Sequence, residues 1–178
     1  LACKVLIKDL GPSIRVEPLR GFPVVKDLVV DTSAVREKWG ELELWPHVRG
    51  AEQPIPIHPD PAVVHRYGAI YTRCIECYSC LDSCPASPHD QAAFCGPMWM
   101  LQIARAHEHP LDGVDRLRQA WEQGLALCVN CAECQNACPV GLSPVAVIDE
   151  LRMQSMRRRW RWWRRGAAAA SAAGSARH

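Results

Sequence analysis

The 178 residues are enough for one or two small domains, and no run of about 18 apolar residues occurs, which excludes a membrane-spanning helix. The net charge of +2 is unevenly distributed, because seven arginines and no acidic residue follow Met156, which leaves −5 for residues 1–156. Ten cysteines is a high number for this length. Such cysteines indicate disulfides, zinc or iron–sulfur clusters; disulfides require an oxidising compartment, and no signal peptide is recognisable within these residues.

The N-terminal part of the chain combines extended runs with one predicted helix. Residues 4–7 (KVLI) and 13–18 (SIRVEP) flank a Gly-Pro turn signal and can pair as a hairpin. Asp31 or Thr32 can cap a helix that continues through Trp39. This part is too small to fold alone, because isolated hairpins are marginally stable.

The middle of the chain alternates between a linker and helices. Residues 46–60 are rich in proline and predict a linker on the surface. Asp60 followed by Pro61 predicts the start of a helix that leads into Cys74, because proline suits the first helical turn. Pro97 opens another predicted helix, over roughly 97–107.

Two further helices are predicted in the second half. Gly113 opens one of them, with a shared face formed by Val114, Leu117 and Trp121. Ser143 and Pro144 open the other, with a buried stripe formed by Val147, Ile148 and Leu151. Residues 166–178 are rich in Ala, Ser and Gly and predict a frayed or disordered end. The sequence thus predicts a mainly α fold, internally duplicated around a pseudo-two-fold axis.

Two cysteine runs have the same spacing. Residues 74–84 read CIECYSCLDSC, residues 128–138 read CVNCAECQNAC, and proline follows each run. The pattern C-x2-C-x2-C-x3-C-P is a ferredoxin-type run, in which the first three cysteines hold one cluster and the fourth ligates the other cluster when two runs are present. The sequence therefore predicts a first cluster on Cys74, Cys77, Cys80 and Cys138, and a second cluster on Cys128, Cys131, Cys134 and Cys84.

Zinc is the alternative metal, because C-x2-C knuckles with four ligands per ion would also use eight cysteines. A third cysteine at the same spacing and a fourth before proline have no role in such a knuckle, so the pattern favours iron–sulfur clusters. Cys95 has no partner at cluster spacing and is predicted to be a small buried residue. The histidines show no metal spacing, and no nucleophile–base pair or glycine-rich phosphate loop appears. We therefore expect an electron carrier whose substrate chemistry takes place on a partner.

Three stretches of the chain resemble the iron–sulfur subunit of succinate dehydrogenase and fumarate reductase. Leu1-Ala2-Cys3 resembles the end of that family's N-terminal plant-type [2Fe–2S] domain. Residues 15–31 (RVEPLRGFPVVKDLVVD) resemble the link from that domain into a helical one. The two cysteine runs, with Gly96-Pro97 between them, complete a resemblance that covers nearly all of residues 1–155.

The resemblance implies a fold and a role. The fold is a helical two-cluster ferredoxin-like domain over residues 31–155, preceded in residues 1–30 by the remnant of a β-grasp plant-type ferredoxin domain, with residues 156–178 as a tail. The implied role is that of an electron-transfer subunit of succinate:quinone oxidoreductase or fumarate reductase. Its partners would be an FAD-containing flavoprotein subunit and membrane anchor subunits that hold a quinone, with no nucleic acid. Such a subunit would lie at the cytoplasmic face of the cell membrane.

The resemblance also implies which clusters the chain holds. Cys3 matches the last ligand of the [2Fe–2S] cluster, and the other three are absent, so we expect an N-terminally truncated chain whose full-length form holds that cluster. The second cluster of the family is commonly [3Fe–4S], because the position matching Cys131 is often not cysteine. Here Cys131 supplies a fourth thiolate and predicts [4Fe–4S]; the alternative is [3Fe–4S] beside a free Cys131.

The C-terminal tail contains a stretch rich in arginine and tryptophan. Residues 157–165 read RRRWRWWRR, and we hypothesise that they steady the subunit against its membrane anchor or the lipid surface. The alternative is a solvated tail.

Related helical iron–sulfur subunits, as in glycolate oxidase, anaerobic glycerol-3-phosphate dehydrogenase or heterodisulfide reductase, share the two runs. An alternative from a different functional class is a zinc-stabilised nucleic-acid-binding module with a basic tail.

Overall fold

The computed structural model describes residues 1–48, 61–66, 71–87 and 93–175. Most of the predicted linker lies outside these ranges. The described part is mostly helical, with one small two-stranded sheet. None of its helices combines the length and the apolar character that crossing a bilayer requires. The strands are β1 (Val24–Lys26) and β2 (Val29–Val30), and the α-helices are α1 (Ser33–Leu42), α2 (Pro61–Arg66), α3 (Ser79–Asp82), α4 (Pro97–His107), α5 (Arg116–Glu122), α6 (Glu133–Asn136) and α7 (Pro144–Ser175).

The hairpin forms later in the chain than the sequence predicted. β1 and β2 pair antiparallel around Asp27, whose φ of 52° turns the chain in a conformation that Asp tolerates better than most residues. The hairpin predicted within residues 1–20 is wrong, since that segment contains a 3-10 turn at Ile7–Asp9 instead. Its apolar side chains are exposed, Ile7 by 80%, so no packed surface stabilises strand pairing there.

Helix α1 confirms the predicted start and extends beyond the predicted end. The Asp31 carboxylate accepts a hydrogen bond of 2.8 Å from the Ser33 N–H, which satisfies a free donor at the first turn. The helix ends at Leu42 rather than Trp39. Its inner face includes Trp39, whose ring packs edge-on against Trp99 of α4 at 5.1 Å between ring centroids.

Helix α4 is the centre of the core. It begins at Pro97, as predicted, because proline lacks only an N–H that the first turn cannot use. Every residue from Pro97 to Ala104 is buried, and α4 contacts α3, α5 and α7. A helix that is buried all round must be surrounded by partners. The predicted stripe of α7 is confirmed as one of them, since Val147, Ile148 and Leu151 are all buried.

Helix α5 begins three residues later than predicted. Asp115 caps it by accepting a hydrogen bond of 3.1 Å from the Arg118 N–H. Val114 therefore precedes the helix, and Val114 and Trp121 are each 37% exposed. The predicted shared face of these two residues with Leu117 is wrong. The buried side of α5 is formed by Arg116, Leu117 and Ala120.

Arg116 is a charged residue within the core, only 1% exposed. Its guanidinium donates to the Asp112 carboxylate at 2.5 Å and to the backbone carbonyls of Leu42, Glu43 and Trp45 at 3.0–3.3 Å. These carbonyls lie at and after the end of α1, where helical carbonyls lack partners. One side chain therefore ties the end of α1 to α5.

Helix α7 is longer than the sequence predicted. It continues to Ser175, whereas residues 166–178 were predicted to fray. Alanine has the highest helix propensity of all residues, so the alanine-rich stretch extends a helix that has already nucleated on the core. Residues 176–178 lie outside the described ranges.

Candidate iron–sulfur sites

The two cysteine runs have the same backbone conformation. Glu76 and Asn130 occupy matching positions with φ of 53° and 55°, and Tyr78 and Ala132 match with φ of 61° and 63°. A one-turn helix, α3 or α6, follows each pair. Left-handed conformations cost non-glycine residues about 1 kcal/mol or more each, so their repetition marks a geometry that the site requires. The match agrees with the predicted internal duplication.

The first run forms most of one cavity. This cavity is lined by Cys74, Cys77, Cys80 and Cys138. The other wall is apolar and includes Met98 and Leu101 of α4, together with Leu142, Val140 and Pro139. Four soft sulfur donors in an apolar surrounding suit an iron–sulfur cluster.

The second run forms most of another cavity, which also borders the start of α4. It is lined by Cys84, Cys128, Cys131 and Cys134. Phe94, Pro97 and Ile148 are among the apolar residues of its wall. Among the described residues, no three His, Cys, Asp or Glu side chains are arranged to hold a single metal ion.

The fourth cysteine of each run lines the cavity of the other run. This exchange follows from the packing of α3 against α6, the one-turn helices that contain the third cysteines, Cys80 and Cys134. Ser83, just after α3, donates to the Glu133 carbonyl at the start of α6 at 3.4 Å. Cys84 and Cys138 lie beyond these helices, so each leaves its own loop and reaches the neighbouring one.

Burial keeps several of the thiols protonated in the absence of a metal. It raises the pKa of Cys80 far above its usual range, and the nearby sulfurs of Cys74 and Cys77 raise it further. It raises the pKa of Cys134 to about 11, again with help from neighbouring sulfurs such as Cys128. Thiolates in these cavities therefore need a positive partner. Iron can be that partner, and its binding would release protons.

Backbone amides are aimed at some of the sulfurs. The Leu142 N–H donates to Cys138 Sγ at 3.3 Å. Burial raises the pKa of Cys84, while the N–H groups of Ala86 and Ser87 oppose that rise because they stabilise its thiolate. Hydrogen bonds to sulfur are one of the means by which proteins adjust cluster potentials.

The remaining two cysteines line neither cavity. Cys95 is 1% exposed, which confirms the prediction of a small buried residue, and burial raises its pKa to about 12. Cys3 is exposed in the N-terminal segment. The predicted end of the helix that begins at Pro97 is also confirmed, since α4 ends at His107, whose Nε2 lies 2.7 Å from Gln154 Oε1.

Sequence reasoning missed two residues that support the cysteine loops. Arg73 donates to the Val140 carbonyl at 2.7 Å, next to the loop that contains Cys138. Arg152 of α7 donates to the Cys128 carbonyl at 2.5 Å. No spacing signal connects either arginine with the cysteines, because the contacts depend on how distant segments pack.

Two family models match the chain. One is described as a 4Fe-4S dicluster domain and matches residues 70–142, which include both cysteine runs. The other is described as a 2Fe-2S iron-sulfur cluster binding domain and matches residues 1–37. Both descriptions agree with iron–sulfur clusters as the cofactors.

Curated relatives cover most of this chain. The succinate dehydrogenase iron-sulfur subunit of Bacillus subtilis is 30% identical over 145 residues, which are 79% of this chain and 57% of that protein. The fumarate reductase iron-sulfur subunit of Mycobacterium tuberculosis is 33% identical over 163 residues, covering 86% and 64%. One subunit of the fumarate reductase (CoM/CoB) of Methanothermobacter marburgensis is 31% identical over 160 residues, covering 88% and 30%. The chain thus spans between about a third and two thirds of these relatives.

One solved structure shares the fold. A chain of the Mycobacterium smegmatis Sdh1 complex in the apo form superimposes with a TM-score of 0.76 at 29% identity. The match covers 89% of this chain and 68% of that chain. The similarity therefore extends over nearly the whole described structure.

Proposed function

Because the chain is a homologue of the iron–sulfur subunits of succinate dehydrogenase and fumarate reductase, we propose that it transfers electrons between an FAD-containing flavoprotein subunit and a membrane quinone. The observation that carries this proposal is the pair of four-cysteine cavities that border the start of α4. The chain is then one subunit of an oxidoreductase, and the succinate or fumarate chemistry belongs to the flavoprotein.

The proposed ligand sets follow the two cavities. Bound iron–sulfur clusters would supply one-electron oxidation and reduction. The apolar walls shield part of the sulfur surface from water, which strengthens electrostatic interactions there. Helix α3, which contains Cys80, packs against α6, which contains Cys134, so the two cavities are neighbours. The proposed sets are Cys74, Cys77, Cys80 and Cys138 for the first cluster, and Cys84, Cys128, Cys131 and Cys134 for the second.

The proposed domain organisation follows the same homology. Residues 1–30 would be the end of a β-grasp [2Fe–2S] domain, in which Cys3 supplies a ligand, and the match of residues 1–37 to a 2Fe-2S model supports this. Residues 31–155 would be the helical two-cluster domain, and residues 156–178 its tail. The complex would include membrane anchor subunits and lie at the cytoplasmic face of the cell membrane.

The function is tested in the complex purified through a tag on this chain. Under anaerobic conditions, succinate is expected to bleach part of its brown colour, or fumarate to restore the colour after chemical reduction, because the flavoprotein exchanges electrons with the clusters. Samples without substrate serve as controls. A colourless protein that contains zinc, or a brown one whose clusters exchange no electrons with either substrate, would contradict the proposal.

Because the fourth cysteine of each run lines the cavity of the other run, the proposed ligand sets predict which cluster each cysteine variant loses. Cys138→Ala is expected to abolish the paramagnetic resonance signal of the first cluster, although Cys138 belongs to the second run, because it lines the first cavity. The matched control is Cys95→Ala, which alters a cysteine outside both cavities and should leave both signals intact. Selective loss of the second cluster in Cys138→Ala would exclude the proposed sets.

A second electron donor is suggested by one relative. The Methanothermobacter protein is named as a subunit of a fumarate reductase (CoM/CoB), and this chain matches 30% of its length. The same two clusters would then receive electrons from CoM and CoB in place of a quinol. Reduction of the oxidised complex by reduced CoM and CoB, compared with reduction by a quinol analogue, distinguishes the two donors.

The basic end of α7 is proposed to contact anionic lipid. Trp160 is 57% exposed and stands among arginines on a helix that continues to Ser175. Tryptophan favours the membrane interface, and each arginine near an anionic surface contributes about 1 kcal/mol. We expect deletion of residues 157–178 to weaken co-sedimentation of the subunit with anionic liposomes at least tenfold. Neutral liposomes are the control, and equal binding of both forms to anionic liposomes would refute the contact.

A further inference from the structure

The guanidinium of Arg152 clamps the segment that leads into the second cysteine run. Nε donates to the Leu125 carbonyl at 3.2 Å, and Nη2 donates to the carbonyls of Ala126 at 3.4 Å and Cys128 at 2.5 Å. Leu125–Leu127 is a 3-10 turn, and Cys128 follows it in an extended conformation. Hydrogen bonds from a charged donor are roughly twice as strong as those from a neutral one. A single side chain on α7 therefore holds the backbone at the first cysteine of the run.

The clamp extends to the strained residue of the same loop. Arg152 Nη1 donates to Asn130 Oδ1 at 3.2 Å, and Asn130 Nδ2 donates to both carboxylate oxygens of Asp149 at 3.0 and 3.1 Å. Asn130 has a φ of 55°, and Asn is among the residues that tolerate this region best. Asn130 Oδ1 also lies 3.7 Å from Cys128 Sγ. The contacts thus connect the arginine with the cysteine through both backbone and side chain.

The two duplicated loops differ at this point. Glu76 occupies the position in the first loop that matches Asn130, so a negative charge stands where the second loop engages an arginine. The Arg152 side chain is 20% exposed, whereas that of Asp149 is 45% exposed. Arg152 Nη1 lies 3.5 Å from Asp149 Oδ1, so the carboxylate is the counter-charge of this guanidinium. Of the two charges, the guanidinium is the one that contacts the Cys128 backbone.

From this geometry we infer that Arg152 is a positioning residue that raises the reduction potential of the second cluster. The inference rests on the proposed function, since it assumes a cluster on Cys84, Cys128, Cys131 and Cys134. Reduction adds one negative charge to a cluster, and a permanent positive charge beside a ligand stabilises that charge. A higher potential of the second cluster would also favour electron flow from the first cluster to the second.

The test is a potentiometric titration of the whole complex, followed by paramagnetic resonance of each cluster. Arg152→Gln removes the charge and retains a hydrogen-bond donor. It is expected to lower the equilibrium constant for reduction of the second cluster about tenfold, which corresponds to a midpoint potential lower by ~59 mV for one electron. Arg152→Lys keeps the charge, so the equilibrium constant for reduction of the second cluster should stay within a few-fold of its value in the unmodified chain. The first cluster should not change in either variant.

The matched control is Arg158→Gln, on the same helix. Arg158 pairs with Asp115 instead of the cysteine loop, so both midpoints should stay unchanged. Asp149→Asn acts in the opposite direction, because it removes the nearby negative charge and keeps Arg152, and it should raise the midpoint of the second cluster. This variant changes an exposed side chain and tests the inference even if the arginine variants fail to assemble the cluster.

Specific results would overturn the inference. An unchanged second midpoint in an assembled Arg152→Gln complex excludes the charge effect, and so does an equal decrease in Arg152→Lys and Arg152→Gln. If neither arginine variant assembles the cluster, an unchanged midpoint in Asp149→Asn has the same meaning. The proposed function fails differently, through the absence of a second cluster or of substrate reduction in the unmodified complex.

Discussion

Replacing Arg116 by methionine is expected to lower the free energy of unfolding by about 3–5 kcal/mol, the cost of breaking a buried ion pair by removing one partner. Methionine fills a similar volume, so the loss reflects polar groups left without partners. These are the carboxylate of Asp112 and the carbonyls of Leu42, Glu43 and Trp45. Asp112 would be the costliest of them, since its side chain is 2% exposed.

Arg118→Met is the matched control for this prediction. Arg118 lies on the same helix and pairs with Glu122 four residues on, as Arg116 pairs with Asp112 four residues back, but its side chain is 75% exposed. Exposed pairs contribute about 0–1 kcal/mol. Denaturant midpoints of the cluster-loaded protein, measured anaerobically for both variants, make the comparison. Equal losses in the two variants would show that the buried network adds nothing.

The Cys131→Ser variant is expected to convert the second cluster from [4Fe–4S] to [3Fe–4S]. Cys131 lines the second cavity with three other cysteines, and it is the exposed member of the four. A fourth thiolate retains the fourth iron, and without it that iron is lost at the exposed corner. The thiolate also adds negative charge, so the second cluster of the unmodified chain should have a lower potential than its [3Fe–4S] form. A low potential would suit a menaquinone-type acceptor.

Paramagnetic resonance of the oxidised complex, prepared anaerobically, decides between the two cluster types. The [3Fe–4S] signal should be absent from the unmodified complex and appear in Cys131→Ser, whereas Cys95→Ala should resemble the unmodified complex. A stoichiometric [3Fe–4S] signal that is the same with and without Cys131 would mean that this cysteine stays free.

Features that depend on residues close together in the chain were predictable from the sequence. The start of α4 at Pro97 and the buried stripe of α7 follow from proline geometry and helical periodicity, which are local. The cysteine spacing predicted the two groups of four that line the cavities, because three ligands on one tight loop face one cluster. The hairpin within residues 1–20 was wrong for the converse reason: its local signals found no packing surface to stabilise the strands.

Only the tertiary structure decided where the arginines lie. In sequence, Arg116 and Arg118 are both charged residues of one helix, yet the first is buried and the second is exposed. The difference arises because Arg116 meets carbonyls more than 70 residues away in the chain, at and after the end of α1. Arg152 likewise meets the second cysteine run through the packing of α7. Spacing patterns report which residues share a face, but the partners of a buried charge depend on segments that only folding brings together.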